Sequence, residues 1–244
     1  MKLRTTFLSV ALALAAWLSA APSEAQPESI TPRPAIDRGE LMWRFELGYR
    51  GAFVTSPGYN AFSTQDYMAQ VSMMASRTLF ARGHYSFALG IGWDYGGSGA
   101  TARGDTTSLT MHRLNVPLEG RVHFGRWGYG FLRAAPGVAV LSTQIEDASA
   151  PPSTGTTPQL LSKSRWLFAA DVSAGYAWLA WSGPPSSAGT PRLWLQADGG
   201  YGWVADERLN LAPNVGSDQR VAGIDLGPLS MQGGFFRVAA ALSY

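Results

Sequence analysis

The chain has 244 residues, with 19 Lys and Arg against 17 Asp and Glu, a formal net charge of +2 and no cysteine. A balance so close to zero excludes the basic stripe that supplies nucleic-acid affinity. The lack of cysteine excludes a disulfide framework, a Cys-ligated metal site and an acylated lipoprotein cysteine.

The N-terminus opens with Lys2 and Arg4, continues as an apolar run over 7–21, and reaches Ser23-Glu24-Ala25 as a small-x-small cleavage site before Gln26. Residues 1–25 read as a secretory signal peptide. The run is shorter than the roughly 20 residues that a spanning helix needs, and no later run approaches that length. Removing Lys2, Arg4 and Glu24 with the signal leaves a balance of about +1. Lys then remains only at Lys163, and Arg carries nearly all of the basic charge, a choice that suits bidentate ion pairs in confined space.

Residues 26–40 hold Pro27, Pro32 and Pro34 and little apolar material, and read as a flexible periplasmic tether. From about residue 41 to 244 eight segments alternate with period two, which predicts β-strands with two distinct faces. The first sets Trp43, Phe45, Leu47 and Tyr49 against Arg44, Glu46, Gly48 and Arg50. The second sets Tyr67, Ala69, Val71, Met73 and Ala75 against Asp66, Gln70, Ser72, Ser76 and Thr78. The third sets Tyr85, Phe87, Leu89, Ile91, Trp93 and Tyr95 against Ser86, Ala88, Gly90, Gly92 and Asp94. The fourth sets Leu114, Val116, Leu118, Val122 and Phe124 against Arg113, Asn115, Glu119, Arg121 and His123.

The fifth, near 129–143, places Leu132, Val138 and Val140 outward with Arg133 and Gly137 inward, and Pro136 weakens it as a strand. The sixth sets Trp166, Phe168, Val172, Tyr176 and Trp178 against Asp171, Ser173 and Gly175. The seventh sets Leu193, Leu195, Tyr201 and Trp203 against Gln196, Asp198, Gly200 and Gly202. The eighth ends the chain, with Phe236, Val238, Ala240, Leu242 and Tyr244 on one face and Arg237, Ala239 and Ser243 on the other.

Connections alternate in length. Short ones fall at 81–83, 125–127 and about 182–190, and long ones near 54–64, 96–108, 144–163 and 204–229. Stretches such as Gly96-Gly97-Ser98-Gly99 and Ala150-Pro151-Pro152-Ser153 read as solvated, mobile loops. Short turns on one side and long loops on the other describe an up-and-down membrane barrel with both termini in the periplasm.

Alternation alone also fits a soluble barrel with its aromatic face inward. Turning the charged face to lipid would cost roughly 2–4 kcal/mol for each Arg near the midplane, so a membrane barrel must keep it inside. Three features favour lipid against the aromatic face. The other face is rich in Gly, Ala and Ser, as a narrow interior demands. Aromatics gather near strand ends (Tyr85, Tyr95, Trp166, Trp178, Trp203, Tyr244) as interfacial girdles do. The signal peptide delivers the chain to the periplasm.

The strand pattern, the loop alternation and the terminal aromatic strand resemble small bacterial outer-membrane β-barrels of the outer membrane protein A and opacity-protein type, over about residues 41–244. The resemblance implies an eight-stranded antiparallel up-and-down transmembrane β-barrel in the outer membrane of a Gram-negative bacterium, without the further periplasmic domain that some members carry.

An interior this narrow is filled by side chains. The charges assigned to it are Arg44, Glu46, Arg50, Asp94, Arg113, Glu119, Arg121, Arg133, Asp171, Asp198 and Arg237. Unpaired buried charge is costly, so they are expected to form a salt-bridged plug; a gated pore in which Arg exchanges partners is the alternative. One register sets Asp94 opposite Arg113, Ser86 opposite Arg121 and His84 opposite His123, with each pair pointing inward.

That register makes a two-histidine neighbourhood, read as hydrogen-bonded wall rather than a metal site, because no acid cluster accompanies it. Only three His exist, His112 faces outward near the rim, and no Gly-x-Ser-x-Gly elbow appears, so no catalytic residues are assigned. Gly90-Ile91-Gly92 and 199–202 open no helix and are not phosphate loops.

The expected function is an envelope-structural or surface-interaction protein, non-catalytic, without cofactor or metal. A narrow channel or carrier and a lipid-modifying barrel enzyme are the alternatives. Expected partners are membrane lipids, including outer-leaflet lipopolysaccharide, and an extracellular ligand met through the long loops. Neither nucleic acid nor a second copy is expected.

Overall fold

The computed structural model describes residues 43–102, 105–125, 127–147, 160–184, 190–213 and 224–244. The expected signal peptide and tether, and the Ala150-Pro151-Pro152-Ser153 stretch, lie outside the described residues.

Eleven strands and one short 3-10 helix are described: β1 (Trp43–Phe53), the 3-10 turn (Pro57–Ala61), β2 (Tyr67–Arg82), β3 (Tyr85–Ala102), β4 (Asp105–Asn115), β5 (Leu118–His123), β6 (Gly128–Asp147), β7 (Leu160–Ser182), β8 (Arg192–Val204), β9 (Glu207–Pro213), β10 (Ile224–Leu229) and β11 (Gly233–Ser243). All pairings are antiparallel. β1 pairs with both β2 and β11, joining the first and last strands, and β6 pairs with β7, so the sheet closes on itself. β4 and β5 are successive parts of one stave, which makes a ring of eight.

Proline explains the interruption of the fourth stave. Pro117 has no N–H to donate, so the ladder skips Val116 and Pro117, yet the register is the same on both sides of the gap. Pro117 still accepts from the Gly90 N–H at 3.0 Å, and Pro136 accepts from the Val116 N–H at 2.8 Å. Segment five is accordingly not weak. It runs 20 residues through Pro136, whose outward side leaves both neighbouring ladders in register. The periplasmic turns after β2 and β5 are tight because Gly83 and Gly125 adopt φ of 58° and 74°, a region that side chains with a Cβ avoid.

The faces divide along the whole ring. Phe45, Leu47, Ile91, Leu114, Leu132, Phe168, Val172, Leu195, Val238 and Leu242 are exposed outside, while Arg44, Arg50, Asp94, Arg113, Glu119, Asp171 and Arg237 are buried inside. Tyr85, Tyr95, Trp166, Trp178, Trp203 and Tyr244 are exposed at the two ends of this band. Exposed apolar walls around buried charge are stable only against hydrocarbon. The chain is a transmembrane β-barrel of the bacterial outer-membrane type.

Four expectations are corrected. The described residues of the long loop expected at 96–108 are strand: Gly96 to Ala102 pair with Met111 to Asp105, which extends β3 and β4. β3, β6 and β7 run 18, 20 and 23 residues, well beyond the roughly 9–11 that a tilted crossing needs. The expected loop 204–229 contains the β9–β10 hairpin, which pairs with β7 and extends the sheet. The 54–64 connection is not a solvated loop, since Val54, Tyr59 and Phe62 are among the most buried residues. Asp66 is not on the inner face of β2; it precedes the strand and is exposed.

These departures share one structure. On the extracellular side β3, β4, β6 and β7 rise past the lipid-facing band as a tall wall, and the hairpin and the 3-10 turn pack against it. Its inner surface is apolar: Leu109, Met111 and Leu141 from the wall meet Val204, Leu209 and Leu229 from the hairpin side and Tyr59 and Phe62 from the turn. Its outer surface is small and polar, with Gly97, Gly99, Thr101, Thr106, Gln144 and Ser164 exposed. Thr107 donates to the Ala61 carbonyl at 2.7 Å, and the Ser230 N–H donates to Ser56 Oγ at 3.0 Å, fastening the turn to wall and hairpin.

Candidate functional site

The chemistry-bearing side chains converge inside the barrel, because alternate positions of every stave point there. All eleven residues assigned to the lumen from the sequence are buried, none more than 7% exposed. They form two groups stacked along the barrel axis.

The group nearer the periplasm joins β1, β5, β6 and β8. Arg44 Nε lies 3.0 Å from Glu46, and its Nη2 donates to Gln196 Oε1 at 2.5 Å. Gln196 in turn donates to Glu46 at 2.8 Å. Arg121 Nε donates to Glu119 at 2.5 Å. Arg133 bridges the two acids: its Nε donates to Glu119 at 2.7 Å, and its Nη2 lies 3.3 Å from Glu46 and also contacts Glu119.

The upper group joins β1, β3, β4, β7, β8 and β11. Asp171 receives Arg113 in a bidentate contact, one arm at 2.8 Å, and Arg50 at 3.3 Å. Arg113 also reaches Asp94 at 3.3 Å. Arg237 holds Asp198 through two bonds of 3.0 and 2.8 Å. Bidentate charge-assisted pairs of this kind are the strong class of hydrogen bond.

The interior aromatics and amides were not singled out as site residues from the sequence, although they complete it. Gln70 accepts from Arg50 at 2.6 Å, and Asn115 donates to Asp94 at 3.3 Å. Arg50 lies 4.2 Å from the Phe235 ring centroid, and Arg133 lies 4.9 Å from that of Phe131. The alternation read from the sequence already sets Gln70 and Asn115 on the inner face, and carrying it two residues back from Arg133 and Arg237 finds Phe131 and Phe235. Gly202 has a definite reason to lack a side chain: a Cβ there would sit 2.7 Å from Asp171 Oδ1 and 2.9 Å from Arg50 Nη2, in the space that this ion pair occupies.

The expected pairings of Asp94 with Arg113 and of Ser86 with Arg121 are the observed register. At the periplasmic turn the His123 N–H donates to the His84 carbonyl at 2.7 Å, but His84 is exposed rather than inward-facing, because it lies in the turn before β3 begins. His123 Nε2 and Ser86 Oγ are 2.8 Å apart, and the Tyr129 ring lies 5.2 Å from the imidazole. Among the described residues, no carboxylate is a hydrogen-bond or ring partner of His123, and no group of three or more His, Cys, Asp or Glu is placed to hold a metal ion. His112 faces outward, with its ring 4.7 Å from Tyr95 and 6.1 Å from Trp93.

The extracellular hairpin carries a separate set of ion pairs, one solvent-facing and one half-buried against β7. Arg208 reaches Asp225 with bonds of 3.1 and 2.8 Å, and Lys163 pairs with Glu207 at 2.7 Å. The Gly227 N–H donates to Asp225 at 2.9 Å, and this bond together with Arg208 holds the Asp225 carboxyl below its ordinary range.

No family model matches the chain, and no curated protein does. Among solved structures the chain is similar to Ail, the attachment invasion locus protein of Yersinia pestis, in complex with the heparin analogue sucrose octasulfate. The identity is 9% and the TM-score 0.46, over 84% of this chain and 99% of Ail. It is likewise similar to the outer membrane protease OmpT of Escherichia coli, at 8% identity and a TM-score of 0.47, over 90% of this chain and 99% of OmpT.

Proposed function

We propose that this outer-membrane barrel is a closed, non-catalytic surface protein: its interior is a structural plug, and its extracellular projection is the part that meets partners. The observation that carries the reading is that the interior is filled twice. Paired charges occupy the bilayer section, and above them Leu109, Tyr59, Phe62 and Leu229, each 0–1% exposed, fill the projection. A conducting path would need water alongside both, and among the described residues the upper filling is largely apolar, with its Tyr59 hydroxyl and Thr107 Oγ1 already spent on the Tyr67 and Ala61 carbonyls.

The non-catalytic part rests on the Ser86–His123 contact lacking an orienting acid, since an activated hydroxyl needs its base held by a third group. The surface role rests on the hairpin, whose Arg208 and Asp225 side chains are exposed and tied into a rigid β-ladder rather than a loose loop.

Planar-bilayer recording on the refolded chain tests this. The expected trace is flat at all voltages, and binding to envelope or host-surface material is lost when residues 207–229 are replaced by a short turn. Stable single-channel steps from the unmodified protein would contradict the closed reading.

A further inference from the structure

The two charge groups differ in balance. In the upper one Asp94, Asp171 and Asp198 match Arg50, Arg113 and Arg237 one for one, whereas in the lower one Glu46 and Glu119 face three guanidinium groups, those of Arg44, Arg121 and Arg133. The surplus positive charge lies in a group with several buried donors that have no hydrogen-bond partner, and two of them line one recess. Arg121 uses Nε on Glu119 and Nη1 on Thr78, and leaves Nη2 unbonded; the Tyr129 hydroxyl is unbonded as well. Arg121 is 4% exposed and Tyr129 2%.

Both residues line a recess at the periplasmic ends of the strands, together with Trp43, Arg44, Trp194 and Ser243. Its enclosed volume is only about 10 Å³, room for a single oxygen, and the rest of it opens to solvent. The guanidinium carbons of Arg44 and Arg121 lie 5.3 and 5.2 Å from the Tyr129 ring centroid, so two cations pack on the tyrosine that carries the free hydroxyl. Trp194 is held in place by its Nε1–H, which donates to Ser243 Oγ at 3.0 Å.

Unpaired buried donors in a native interior call for an unseen partner, either water or an ion. Water would satisfy the donors and leave the charge uncompensated; an anion satisfies both, and uncompensated buried charge is the larger cost. We propose that this recess is an anion site that grips an oxygen of a phosphate group entering from the periplasm, with Arg121 Nη2 and the Tyr129 hydroxyl as its donors. The phosphate is presented either by a phospholipid headgroup of the periplasmic leaflet or as the free ion. The lipid source has a structural basis in the exposed Trp43, Phe45 and Tyr244 rings, stacked at 6.4 and 6.3 Å at the same level of the outer wall, where an interfacial girdle meets headgroups.

The test is isothermal titration of the refolded mature chain in a phosphate-free non-ionic detergent, with inorganic phosphate in one arm and phosphatidylglycerol mixed micelles in the other, and diacylglycerol micelles as the lipid control. Saturable binding of phosphatidylglycerol but not of inorganic phosphate assigns the headgroup, the reverse assigns the free ion, and binding of both supports the shared chemistry.

Arg121→Lys keeps the charge and removes Nη2, and Tyr129→Phe removes only the hydroxyl; each is expected to raise Kd about tenfold, the worth of one charge-assisted hydrogen bond. Tyr129→Phe preserves the ring packing, so it serves even if Arg121→Lys refolds poorly. No saturable binding in either arm, binding equal to that of diacylglycerol, or an unchanged Kd in the Tyr129→Phe protein would mean that the recess holds water alone, and would overturn the proposal.

Discussion

The bilayer section of the barrel and the projection above it are built from the same strands and have opposite polarity. Along β4, Arg113 points inward within the bilayer section and Leu114 points outward; a few residues further up, Leu109 and Met111 point inward and Thr106 outward. The side-chain period does not change at the boundary, only the chemistry placed on each face. Hydrocarbon outside demands an apolar wall and leaves the centre for charges that must pair. Water outside demands a polar wall and rewards an apolar centre through the hydrophobic effect. One continuous strand therefore carries a membrane barrel and a soluble-type fold end to end, and the switch point marks the extracellular membrane surface near Tyr95, His112 and Trp166.

The largest difference between the sections should come from breaking a charge. Asp171→Ala removes the carboxylate that holds Arg50 and Arg113 and should cost about 3–5 kcal/mol, read from urea unfolding in lipid vesicles. In the projection, Leu109→Ala empties a site that is 0% exposed and should cost about 3 kcal/mol. Because the cavity lies above the membrane, its signature is faster proteolytic cutting of the hairpin with the bilayer section still folded.

A matched pair sharpens the boundary itself. Ile91→Arg puts a cation on the lipid face at a position 68% exposed and should cost about 2–4 kcal/mol in vesicles. Thr106→Arg, on the outer face of the projection, should stay within about 0.5 kcal/mol, as surface changes do.

The hairpin's own ion pair should matter least. Arg208→Ala is expected to leave the unfolding midpoint unchanged, because both partners are in water. A carboxylate held below its ordinary range stabilises at pH above its unfolded value and loses that contribution as pH falls through its folded value. Asp225 should thus keep the Gly227 turn closed at neutral pH and release it as pH falls through its folded value, below the ordinary carboxylate range, seen as a lower protection factor for the Gly227 amide.

The bilayer section was legible in the sequence because its faces differ sharply. Arg44, Glu46 and Arg50 alternating with Phe45, Leu47 and Tyr49 fix which side is which, and the same contrast in β3 and β4 supports the observed Asp94–Arg113 register. The projection was not legible, for a physical reason. Gly96-Gly97-Ser98-Gly99 has the composition of a loop, and its partners Ser108, Leu109, Thr110 and Met111 alternate with the apolar side chains on the inner face, the reverse of the bilayer section. The apolar residues inside the projection belong to the face that carries charge lower down, so a single polarity rule for the whole strand hides them. Tyr59 and Phe62 lie in a non-alternating segment, and their burial arises from the hairpin closing over them.

The polarity switch is the claim on which the rest stands, and the absence of natural cysteine lets it be tested with one label at a time. A bilayer-sensitive fluorophore on Ile91→Cys and, separately, on Thr106→Cys would be read in vesicles of ordinary and brominated phospholipid. Strong quenching at position 91 with none at 106 is the predicted result. Equal quenching at both positions, or none at 91, would contradict it.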